Sequence, residues 1–176
     1  MAVFGCNFEG DIPTSKVIDI AQQLFDLAEE GGCKIKTLSL ADTMAWATPG
    51  SIRRVVGAVR EKFPEVELSL HLHDTRGMGI ANAYAGMEMG VAIFDAAVAG
   101  LGGCPFAPGA AGNVATEDLV WALERSGRAT GIDAESATEA GRVICAAVGV
   151  SPRSGLAAAG AFPPQTPLAV PRQSHR

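Results

Sequence analysis

Apolar residues recur along this chain in two rhythms, one of period two and one of period near 3.6, and the rhythms alternate. Residues 2–6 are a short apolar run that reads as a strand. From Thr14 to about Glu30 the apolar positions Val17, Ile20, Ala21, Leu24, Leu27 and Ala28 share one helical face. Thr14 stands where a cap for that helix is expected, and Gly31-Gly32 where it stops. Residues 35–40 alternate as a strand does. Pro49 opens a second helix, at a position where its missing N–H is harmless, and Ile52, Val55, Val56, Val59 and Phe63 make the buried stripe. Residues 66–72 predict a strand, 79–90 a helix and 91–99 a strongly apolar strand. After a glycine-rich loop at 100–112, residues 116–126 and 134–148 predict two more helices.

A repeat supports this division. Leu38-Ser39-Leu40-Ala41-Asp42-Thr43 returns 32 residues later as Leu70-His71-Leu72-His73-Asp74-Thr75, and each copy ends an apolar run before a turn and a helix. A spacing of about 30 residues is one strand–helix unit of a parallel α/β fold. Four such units and an extra helix follow, joined by right-handed crossovers. Four strands fit either an open doubly wound sheet or half of an eight-stranded barrel. Both architectures place their sites at the carboxyl ends of the strands, where Asp42, His71, His73 and Asn113 fall.

Composition narrows the class. At 176 residues and 48% hydrophobic the chain has ample core for one domain. Its net charge of −5, with no Lys/Arg cluster, argues against nucleic acid. No apolar run has the length of a membrane span, and the first ten residues lack a basic segment, so neither a membrane nor a signal peptide is expected. Cys6, Cys33, Cys104 and Cys145 are irregularly spaced, which fits a reducing, cytoplasmic setting. From Ser151 onward five prolines and no Asp or Glu predict a flexible tail over 151–176.

The candidate chemistry is concentrated in two places. His71 and His73, one residue apart on a strand, point to the same side and can grip a divalent metal; the alternative is two buried histidines bonded to backbone. Asp74 is either a partner that orients an imidazole or a helix cap. In the loop from Gly100 to Gly112, Cys104 lies among five glycines, where a thiol can serve as acid or nucleophile or be incidental. Asn113 ends that loop, as a helix cap or as a hard oxygen ligand beside the histidines. Asp42 and Glu9 either line the same mouth or cap local structure. No phosphate-binding P-loop or dinucleotide fingerprint is present.

The segments HLHDTRGMGIANAYAGMEMGV and AVAGLGGCPFAPGAAGNVATEDLV, with VFGCNFEG and LSLADTMAWATPG upstream, closely resemble the 3-hydroxy-3-methylglutaryl-CoA lyase family over residues 1–150. Ala97 stands where that family often has Ser. The resemblance implies a TIM barrel of which this chain supplies strands 5–8, and a divalent cation, Mg²⁺ or Mn²⁺, held by His71, His73 and Asn113. It implies that Cys104 is catalytic with His71 as proton carrier, and that Asp42 and Glu117 contact substrate or support the site. The implied reaction is cleavage of 3-hydroxy-3-methylglutaryl-CoA to acetoacetate and acetyl-CoA, a step of leucine breakdown. The family's Arg-Asp strand, which supplies a further metal ligand, has no counterpart here. The expected partners are therefore an acyl-CoA substrate and either a missing N-terminal half or a second copy. The alternatives are another metal-dependent aldolase or synthase of the superfamily, and an inactive fragment.

Overall fold

The computed structural model describes residues 3–103 and 112–160. Its elements run β1 (Gly5–Cys6), β2 (Gly10–Asp11), α1 (Thr14–Glu30), β3 (Thr37–Ala41), α2 (Pro49–Lys62), β4 (Glu67–His71), α3 (Gly79–Glu88), β5 (Ile93–Asp95), α4 (Thr116–Arg125), α5 (Ala134–Val148) and α6 (Gly155–Ala159). Strands β3, β4 and β5 form one parallel sheet in that order. The chain is thus an α/β fold of parallel strands alternating with helices.

The two faces of the sheet differ because successive side chains point to opposite sides. Leu40 lies opposite Leu70, and Leu70 opposite Phe94. Leu40, Leu68, Leu70 and Leu72 are buried in one cluster with Ile52, Val55, Val56 and Val59 of α2 and Ala83 and Ala85 of α3. The other face carries Thr37, Ser39, Glu67, Ser69, His71, Ile93 and Asp95. Of these only Ser69 is buried.

Capping explains several boundaries. Thr48 accepts a hydrogen bond from the Ser51 N–H while Ser51 Oγ accepts from the Thr48 N–H, a reciprocal pair that fixes the start of α2 with Pro49 in its first turn. Asp133 accepts from the Ser136 N–H at the start of α5, and Gly149, left-handed at φ 73°, ends it. The first helix departs from expectation in one detail. Its cap position is Pro13, and Thr14 is already helical with no side-chain capping bond.

Three further expectations are corrected. Residues 2–6 do not add a fourth parallel strand. The Val3 N–H does donate to the Ala41 carbonyl, but the chain then turns into a hairpin in which β1 pairs antiparallel with β2. The strand expected over 91–99 is paired only at 93–95, because residues 98–100 wind into a 3₁₀ turn with Ala99 at φ 56°. The tail expected from Ser151 is packed up to Gly160. Ser154 is buried, its Oγ donates to Asp118 Oδ1, and Asp118 also accepts from the Gly155 and Leu156 N–H groups, which anchors α6 to α4. Residues 161–176 lie outside the described residues.

Candidate functional site

The echoed segments meet out of step in space. Sequence alignment of the two copies pairs Asp42 with Asp74, yet the sheet sets Ala41 level with His71, and the Asp42 N–H donates to the His71 carbonyl. Asp42 therefore lies two residues below its echo, beside His73. Locally the copies still do the same work. Asp42 Oδ1 accepts from the Trp46 and Ala47 N–H groups at 2.7 and 3.0 Å, and Asp74 Oδ1 accepts from the Gly79 N–H at 2.6 Å. Each carboxylate closes the turn between its strand and the next helix by reaching five residues ahead.

His71 ends β4 and His73 follows one residue later. Their ring centroids are 5.0 Å apart and nearly perpendicular at 79°. Asn113 is brought to them by backbone pairing. The Val114 N–H donates to the Leu72 carbonyl, the Asp74 N–H donates to the Gly112 carbonyl, and His73 and Asn113 form a bridge. The same junction ties Ala97 to Val114 and Thr116, so residues 97–101 and 112–116 form one clamped stem.

Hydrogen bonding fixes what these groups can offer. His73 Nδ1 lies 3.0 Å from the Asp42 carbonyl oxygen, so Nδ1 carries the proton and Nε2 keeps its lone pair. Burial pushes the His73 pKa down, only partly opposed by that bond, which keeps the ring neutral. Asn113 Nδ2 donates to the Leu101 carbonyl at 3.0 Å, and Oδ1 is buried with no hydrogen-bond partner among the described residues. An unpartnered buried acceptor is costly unless something else satisfies it. A pair of imidazoles with that carboxamide oxygen is a donor set suited to a divalent cation such as Mg²⁺ or Mn²⁺. Among the described residues no group of three or more His, Cys, Asp and Glu assembles, so the set rests on Asn113 as its third member.

Other expected site residues take different places. Asp42 is 1% exposed and is committed to the 42–47 turn, and burial holds its carboxyl above the usual carboxylate range. Glu117 is fully buried, with both oxygens on the Ala99 N–H at 3.1 and 3.0 Å. Among the described residues both carboxylates are therefore engaged by backbone N–H groups. Asp74 is the turn closer described above and Glu9 pairs with Lys16 at 2.6 Å. Asn113 is not a cap, because α4 is preceded by Ala115 at its cap position. Cys104 lies outside the described residues.

Two residues were missed in the sequence. Asp95 stands level with His71 on β5, its Oδ2 3.6 Å from His71 Nδ1. That is too long for a direct hydrogen bond. An acid at the end of an otherwise apolar strand was the available signal. Arg76 donates to the Met44 and Ala45 carbonyls, closing the 42–47 turn from above.

Comparison with known proteins agrees with the geometry. The family model described as HMGL-like matches residues 1–144. The cytoplasmic 3-hydroxy-3-methylglutaryl-CoA lyase of Rattus norvegicus is 42% identical over 155 residues, which cover 88% of this chain and 43% of the rat protein. Among solved structures, an HMG-CoA lyase from Acinetobacter baumannii, in complex with coenzyme A and 3-methylmalate, superposes with TM-score 0.80 at 41% identity, covering 95% of this chain and 53% of that one. Hydroxymethylglutaryl-CoA lyase from Pseudomonas aeruginosa gives TM-score 0.80 at 42% identity, covering 90% and 51%. The chain thus spans about half the length of the relatives it matches.

Proposed function

Because the chain belongs to the HMGL-like family, we propose that it is the carboxyl-terminal half of a (β/α)₈ barrel that cleaves 3-hydroxy-3-methylglutaryl-CoA to acetoacetate and acetyl-CoA. The observation that carries this reading is the buried Asn113 Oδ1, without a hydrogen-bond partner among the described residues, beside His73, whose Nδ1 is taken up by the Asp42 carbonyl. His71, His73 and Asn113 would hold a divalent cation. Bound there, such an ion supplies electrophilic polarisation of the substrate's hydroxyl and carbonyl oxygens.

The chain's own residues divide the remaining work. His73 is fixed in one tautomer by the Asp42 carbonyl, so it positions and does not shuttle protons. His71 is the more open ring, with its side chain 34% exposed and Asp95 beside Nδ1, so proton carriage from the tertiary hydroxyl falls to it. As the carbon–carbon bond breaks, its electron pair passes to the methylene carbon next to the thioester carbonyl as an enolate, and that carbon then takes a proton to become the acetyl methyl. Cys104, which follows the clamped stem in sequence, is the donor in this reading. The half-barrel reading is supported by the face bearing Thr37, Ser39, Glu67 and Asp95, which faces away from the helices. A reducing compartment, the cytoplasm, suits the free thiols of Cys6, Cys33 and Cys145.

Calorimetry of the full chain with Mn²⁺ tests the site. Heat of binding that disappears in His71→Ala/His73→Ala is the expected result, and equal heat in both proteins, or none in the wild type, would overturn it. Acetoacetate release from 3-hydroxy-3-methylglutaryl-CoA, with Cys104→Ser lowering turnover by orders of magnitude at unchanged Mn²⁺ affinity, tests the chemistry.

A further inference from the structure

Glu117 is an expensive residue to bury. It has no exposed surface, and among the described residues no salt bridge reaches it. Its two oxygens converge on one donor, the N–H of Ala99. Ala99 is at φ 56°, a left-handed conformation that a residue with a Cβ avoids, and Gly100 follows at φ 64°. These two residues turn the chain back just before Leu101.

What the turn holds is the Asn113 side chain. The Leu101 carbonyl, two residues past Ala99, accepts from Asn113 Nδ2 and so decides which way the carboxamide oxygen points. The stem leaves no slack around it. A Cβ on Gly112 would fall 1.6 Å from the Gly100 oxygen, and one on Gly102 would fall 2.8 Å from Asn113 Nδ2. The Ala99 carbonyl is engaged too, by the Arg153 N–H.

We propose that Glu117 is a positioning residue, whose buried carboxylate keeps Ala99 left-handed and, through the turn over residues 99–101, aims the Asn113 oxygen at the two histidines. The inference rests on the cation reading of those three residues for its consequence, but the clamp itself is a property of the stem. Removing it frees the turn, and the carboxamide then loses its fixed acceptor.

The test uses the full chain and two readouts. Glu117→Ala should weaken Mn²⁺ binding by about 10- to 100-fold, the range seen when a ligand's supporting group is lost. Amide exchange should accelerate over residues 97–102 and 112–116 while α1 and α2 keep wild-type protection. Glu117→Gln retains a carbonyl acceptor and should stay near wild type. Ala99→Gly in the Glu117→Ala background should recover part of the affinity, because glycine takes φ 56° without help. Should Glu117→Ala fail to fold, Glu117→Asp, one methylene too short to reach Ala99, is expected to give the same local pattern. Unchanged exchange at the stem, or exchange raised uniformly through the chain, would overturn the proposal. Absence of Mn²⁺ binding in the wild type would sink the cation reading alone, leaving exchange to judge the clamp.

Discussion

At the scale of single residues, the site is framed by carboxylates bonded to backbone. Asp42 shows how. Its Oδ1 is satisfied by two backbone donors while its Oδ2 is buried with no hydrogen-bond partner. Burial raises its pKa, so the folded state holds the proton more tightly than the unfolded chain, and stability falls as pH rises through the raised value. Asp42→Asn keeps the acceptor for Trp46 and Ala47 and removes the buried charge. In metal-free buffer its stability relative to wild type should therefore improve between about pH 4 and pH 7, as read by urea denaturation at the two values. Asp42→Ala deletes the acceptor and strands two buried N–H groups, at a cost of about 1–3 kcal/mol at either pH. If Asp42→Ala matched Asp42→Asn, the turn would not depend on that oxygen. The histidine pair was legible in the sequence because strand periodicity fixes two imidazoles on one side. The distinction between contact and support was not. Whether Asp42 and Glu117 face substrate or backbone depends on a two-residue register offset and on a left-handed alanine, and no local pattern encodes either.

At the scale of elements, helices were read well and strands less well, for a physical reason. Helices α2 and α5 begin and end where expected, and α1 does so but for its cap, one residue earlier at Pro13, because a helix satisfies its own hydrogen bonds. A strand's extent depends on a neighbour. The segment over 91–99 is apolar but for Asp95, yet pairing with β4 stops at Asp95, and Ala97 turns to bond residues 114 and 116. The helix caps give a pH-dependent prediction. Hydrogen bonds from Ser136 hold the Asp133 carboxyl below its ordinary value. A lowered pKa means stabilisation that is complete above the unfolded value and lost as pH falls through the folded one. Asp133→Ala should therefore lower the thermal midpoint at pH 7, and the difference should shrink as pH falls below the ordinary carboxylate range and wild type loses the same charge. For the uncharged cap of α2, Thr48→Ala should cost about 1 kcal/mol with no pH dependence across that range. A pH-independent Asp133 effect would mean that the side chain acts by packing.

At the scale of the whole molecule, the sheet is finished on one side only. Leu70, buried at its centre, packs against Gly86 of α3 so closely that a Cβ there would lie 2.3 Å from Leu70 Cδ1. Truncation to Ala leaves a cavity that neighbours on three elements cannot fill, and Leu70→Ala should destabilise the chain by about 2–5 kcal/mol. Ser39 is one residue from Leu40 on β3 but points the other way and is exposed. Ser39→Arg should change the chain's own stability by less than about 0.5 kcal/mol, as solvent-facing substitutions do. The half-barrel reading makes the same position critical in a different assay. When this chain is co-expressed with a segment supplying four complementary strand–helix units, that face becomes the interior, where an arginine can find neither room nor a partner for its charge. Co-purification of the two segments should then succeed with wild type and with a control substitution at exposed Trp121, and fail with Ser39→Arg. A complex that tolerates arginine at Ser39 would leave the polar face in solvent. The family's barrel would then not be the architecture this chain completes.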